Sequence, residues 1–76
     1  SAEALGDAVR ALLDADGNDA VAEVLGAHPM LLTGAAQAML ADLASTAGAQ
    51  GQAELADDAA RCRALLHDIR AGLDSA

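Results

Sequence analysis

Phenylalanine, tyrosine and tryptophan are all missing from this 76-residue chain, and so is lysine. The lack of aromatic residues, together with the lack of any glycine-rich phosphate loop, leaves no outline of a substrate pocket. Four arginines stand against twelve acids, for a net charge of −8. Nucleic-acid binding needs basic charge to displace phosphate counterions, so a chain this acidic is expected to be repelled by DNA and RNA. The same sign excludes an anionic membrane surface. No apolar run approaches the roughly 20 residues that cross a bilayer. No basic segment followed by an apolar core marks a signal peptide. The single cysteine, Cys62, has no partner for an internal disulfide, which fits a reducing cytoplasm.

What is present is alanine and leucine. There are 22 Ala and 12 Leu, accompanied by three Val, one Ile and two Met. Both common residues are strong helix formers, and alanine is depleted from strands, so the composition predicts an all-α fold and rules out an all-β one. A chain of this length buries only about 60% of its unfolded surface, so its core is small. It reads as a single helical domain over residues 1–76, and as part of a longer protein.

Four helices are predicted. Helix one covers residues 2–15: Leu5, Val9 and Leu12 fall within about 60° of one another at 100° per residue, flanked by Ala8 and Leu13, with Glu3, Asp7, Arg10 and Asp14 opposite. Asp7 and Arg10 are spaced to pair. Gly17 is suited to the positive φ that ends a helix. Helix two, residues 19–27, opens at Asn18 or Asp19 as N-cap, presents Val21, Val24 and Leu25, and stops before Pro29. Met30, Leu31 and Leu32 read as an apolar connector tucked under the helices. Thr33 is the expected cap of helix three, residues 34–47, whose apolar face is Ala36, Met39, Leu40, Leu43 and Ala47. Gly51 breaks the chain before helix four, residues 52–73. There Leu55, Ala59, Cys62, Leu66, Ile69 and Leu73 lie within about 40° of one line, which places Leu66 and Ile69 near the bundle centre. Asp57 and Arg61 are spaced as an i,i+4 pair. Short loops predict two antiparallel hairpins, forming a small bundle or a fragment of a helical repeat.

Chemical motifs are sparse. Asp14, Asp16 and Asn18 occupy positions 1, 3 and 5 of a would-be EF-hand calcium loop, but position 6 is Asp19 where glycine is needed and position 12 is Leu25 where a bidentate Glu is needed. Turn residues between two helices account for the same string. Cys62 stands mid-stripe and reads as a buried small hydrophobe; His67 is about 140° around the helix from it and cannot serve as its base. Cys62, His28 and His67 lack zinc-ligand spacing. His28 reads as a helix-end residue and His67 as solvated. No metal, cofactor or catalytic residue is assigned, and the chain is expected not to be an enzyme. Length, acidity and four helices also suggest an acyl carrier domain, but Asp74-Ser75 is followed by Ala76 rather than by the Leu of the phosphopantetheine attachment motif.

One pair of segments carries a family resemblance. Ala27-His28-Pro29-Met30-Leu31-Leu32-Thr33, an Ala/Leu-rich helix, Gly51, and then Arg61-Cys62-Arg63-Ala64-Leu65-Leu66 resemble a recurrent helical unit. It occurs in large, mostly actinobacterial and cyanobacterial proteins carrying tetratricopeptide repeats or caspase-like CHAT peptidase domains. The usual form has Glu at the place of Met30 and no Cys among the arginines. The resemblance spans about residues 19–70 and carries no catalytic residue onto this chain. It implies a helical accessory or interaction segment.

The expected function is therefore a noncatalytic helical protein–protein interaction or regulatory module. The alternative is an acidic helical carrier or docking domain of a biosynthetic assembly line. Leu13, Leu40 and Leu65 each lie about 80–100° from the line of their own stripe and are the candidate interaction surface. The expected partner is another protein or a second copy of the chain.

Overall fold

In the computed structural model, which describes Ser1 to Ser75, four α-helices and one 3₁₀ turn follow one another with no strand between them. The helices are α1 (Ala2–Asp14), α2 (Asn18–Ala27), α3 (Gly34–Ala49) and α4 (Ala53–Ser75); the turn, η1, is Pro29–Leu32. The fold is an all-α small bundle of four helices.

Each boundary has a local cause. Ser1 caps α1, its hydroxyl accepting from the Ala4 N–H at 3.2 Å. Gly17 takes φ 88°, ψ 165°, a conformation open almost only to glycine, and lets the chain reverse between α1 and α2. Gly17 itself is the N-cap of α2, with no side-chain capping bond, where Asn18 or Asp19 was expected; α1 is closed not by Gly17, as expected, but by Ala15 in an extended conformation, its N–H donating to the Leu12 carbonyl. The backbone turn is tight enough that Asn18 is already helical, so its side chain is one residue too late to cap. Pro29 ends α2, and the connector after it winds into η1. Thr33 then does double duty: its hydroxyl donates to the Met30 carbonyl at 2.7 Å and accepts from the Ala36 N–H at 3.3 Å. At the end of α3, the Gln52 N–H donates to the Ala47 carbonyl and the Gly51 N–H to the Gly48 carbonyl. With Gly51 at φ 76°, this is a Schellman cap.

The core is a single cluster in which Leu12, Leu31, Leu40 and Leu66 are the largest fully buried side chains, with Ala8, Ala36 and Ala59 filling between them. α1, η1, α3 and α4 contribute one leucine each; α2 contributes no buried residue. α3 and α4 run side by side as an antiparallel hairpin, linked also by the Gln37 Nε2–H donating to the Arg63 carbonyl at 3.1 Å. α1 packs against both of them. α2 approaches only α1 and η1, with Val21, Val24 and Leu25 half-buried against the rim of the core.

Two expectations about α4 are corrected. Ile69 is half-buried and Leu73 is 61% exposed, although both continue the stripe of Leu66. The cause is length. At about 1.5 Å per residue, the 23 residues of α4 outrun the 16 of α3 by about 10 Å, so the last turns have less to pack against. Arg61 pairs with Asp58 at i,i+3 rather than with Asp57 at i,i+4. Both spacings bring a carboxylate within reach of the guanidinium, and Asp58 takes it. Asp7 and Arg10 form no ion pair among the described residues.

Truncating Leu66 to alanine removes a fully enclosed side chain and should cost about 2–5 kcal/mol, a large part of the stability of so small a domain. Ile69→Ala should cost less than about half as much, because its site is already partly hydrated. Urea unfolding of the two variants checks the ordering; equal losses would contradict the overhang of α4.

Candidate interaction surface

Because α2 stays away from α4, the space between the C-terminal turn of α1 and the middle of α4 is left open. It forms a groove of about 480 Å³ whose walls are Leu12, Leu13 and Ala15 on one side, Val21 at the foot of α2, and Cys62 and Leu65 on the other. Asp14, Asp16, Asp58 and Arg61 make its polar edge. On α4 the lining residues Asp58, Arg61, Cys62 and Leu65 are spaced i, i+3, i+4 and i+7, a single face of the helix. Leu12 is fully buried at the floor, Leu13, Val21 and Cys62 are half-buried, and Leu65 is 38% exposed.

Of the three leucines singled out in the sequence, Leu13 and Leu65 come together across this groove. Leu40 does not, and its place in a candidate surface is corrected: it is fully buried in the leucine cluster. α3 is covered on one side by α4 and on another by α1 and η1, so its broad apolar face is used up inside the bundle. Val21, Asp58 and Arg61 were not singled out. The i, i+3, i+4, i+7 set on α4 was present in the sequence, but it straddles the apolar stripe and the charged flank.

Cys62 is half-buried at the groove wall rather than enclosed in the core. Burial raises its thiol pKa above the ordinary 9.0, the Arg61 charge opposes that shift, and Asp58 adds to it. No arrangement here activates a thiolate. His67 is solvent-exposed, its Nδ1 3.6 Å from Asp68. His28 ends α2, donating its backbone N–H to the Val24 carbonyl at 2.9 Å. Asp14 lies in the last turn of α1, Asp16 in the connection, and Asn18 in the first turn of α2, so the helix begins where a calcium loop would need to continue. Among the described residues no three His, Cys, Asp or Glu side chains converge on one point. No described helix is long and apolar enough to cross a membrane.

The two segments of the family-like motif meet in space. His28 to Thr33 forms the end of α2, η1 and the cap of α3, and Arg61 to Leu66 forms the middle of α4, which η1 contacts. Leu31 from the first segment and Leu66 from the second are both core leucines. Leu31 and Leu66 thus have a packing role in closing the bundle. No protein-family model matches the chain, and no curated protein or solved structure shows significant similarity to it.

The raised thiol pKa has a consequence for stability. The protonated thiol is the form the fold favours, so its contribution is fully present below the ordinary pKa and is lost as pH rises through the raised folded value. With no lysine or tyrosine in the chain, a stability decline at pH above the ordinary thiol pKa is expected to come from Cys62, and Cys62→Ala should flatten it. Iodoacetamide should modify Cys62 more slowly in the native protein than in urea at the same pH. Equal rates would contradict the half-buried placement.

Proposed function

We propose that this chain is a noncatalytic helical module that mediates protein–protein contact or regulates the protein to which it belongs. The observation that carries this reading is the groove shared by Leu13 and Leu65, an aliphatic concavity with a charged edge. Leu65 and Leu73, the two exposed large hydrophobics among the described residues, add apolar surface along α4. The resemblance to helical units that accompany tetratricopeptide-repeat and CHAT proteins points in the same direction. The acid excess disfavours nucleic acid and anionic membrane as partners, and a free thiol suits the reducing cytoplasm. The alternative, a carrier or docking domain of an assembly line, has Ser75 as its one attachment candidate. That hydroxyl donates back to the Ala71 carbonyl at 2.9 Å.

Site-specific photocrosslinking in the host cell tests the proposal. A photoreactive residue at position 65 should give a discrete protein adduct, and one at the exposed position 42 on α3 should not. The absence of any adduct from positions 13, 65 and 73 would contradict an interaction role.

A further inference from the structure

The proposed interaction role leaves the partner's chemistry open, and the groove narrows it. We infer that the groove between α1 and α4 receives one amphipathic helix of a partner protein, with aliphatic side chains on its buried face and arginine or lysine beside Asp14 and Asp16. This rests on the reading of the chain as an interaction module and adds the class of its occupant.

The apolar half of the inference comes from the walls. Leu13, Val21, Cys62 and Leu65 are aliphatic or soft, and none is aromatic, so they match leucine, isoleucine or methionine knobs better than a flat ring. On α4 the apolar lining residues Cys62 and Leu65 stand one turn apart on one face, flanked by the Asp58–Arg61 pair, so a helix lying along α4 would meet an apolar strip with a charged border. α2 packs on α1 and η1 and makes no close approach to α3 or α4, so one flank of α4 has no helix against it. A small molecule is a poorer fit, because specific small-molecule pockets enclose most of their ligand and this groove is open.

The charged half comes from an imbalance. The edge holds three carboxylates and one guanidinium, and Arg61 is already paired with Asp58. Asp14 and Asp16 have no cationic partner among the described residues. Asp14 also stands in the last turn of α1, where the helix dipole is negative and where no basic residue is present. A basic side chain docked there would relieve both effects. A second copy of this chain is the weaker candidate, since each copy brings −8 to the contact.

A displayed library of helical peptides, randomised at all positions of an amphipathic 18-residue frame, tests the occupant directly. Selection on the immobilised protein should enrich aliphatic residues at i, i+3/i+4 and i+7 with Arg or Lys on one flank. Enriched peptides should bind Leu65→Glu at least about tenfold more weakly, as expected for a central anchor. Leu65 is exposed enough for that variant to keep its helicity, which circular dichroism checks. The exposed pair Asp14→Lys/Asp16→Lys gives an independent arm: selection on it should switch the enriched flank to Asp or Glu, and in 1 M salt the flank preference should fade. Enrichment of acidic or uncharged flanks on the native protein would overturn the inference. So would peptides that bind Leu65→Glu unchanged; if those map to the Leu73 end of α4, the interaction role survives and only the groove is lost. Concentration-dependent dimerisation abolished by Leu65→Glu would replace the basic helix with a second copy. No enrichment at all would remove the groove assignment, and with no crosslinks in the cell it would remove the interaction role as well.

Discussion

Leu12, Leu31, Leu40 and Leu66, one each from α1, η1, α3 and α4, belong to a single buried cluster, and the rest of the molecule is arranged around it. With no aromatic side chain available, four leucines must supply the bulk that a Phe or Trp would otherwise bring. Fully burying each contributes about 1.5–3 kcal/mol. Alanines at positions 8, 36 and 59 are fully buried in the same cluster, where a larger side chain would have to push the helices apart. A core this small closes only if every contributing segment arrives in register. This explains why the short turn η1 is bounded so firmly, by Pro29 at its start and the doubly bonded Thr33 at its end.

The same constraint produces the groove. α2 has no residue in the leucine cluster, so nothing draws it onto α4. It remains attached at the edge through Val21, Val24 and Leu25, held between the reversal at Gly17 and the stop at Pro29. The open flank of α4 and the acidic corner at Asp14 and Asp16 are consequences of where the small core runs out of leucines.

Much of the fold was legible in the sequence because its signals are local. The α1 stripe, the glycines at 17 and 51, Pro29 and Thr33 each act on their own few residues, and the helix limits followed to within a residue or two. The apolar residues that were misplaced share one cause. Periodicity gives the direction a side chain faces, but not whether a neighbour is present there. Ile69 and Leu73 face the correct way on a helix that outruns its partner. Leu40 stands off its own stripe, yet it is fully buried, on a helix against which α1, η1 and α4 all pack. The candidate surface was half legible for the same reason: Leu13 and Leu65 could be picked out separately, but their meeting across a groove depends on α2 standing clear of α4.

Native-state hydrogen exchange tests the central claim, that stability resides in the four-leucine contact and that α2 is peripheral to it. Amides around Leu12, Leu31, Leu40 and Leu66 should exchange through global unfolding. Those of α2 should exchange through a local opening, with protection at least about tenfold lower, a difference of about 1.4 kcal/mol. Protection in α2 equal to that around Leu40 and Leu66 would contradict the account, because it would mean that α2 is part of the core and that no open flank of α4 exists.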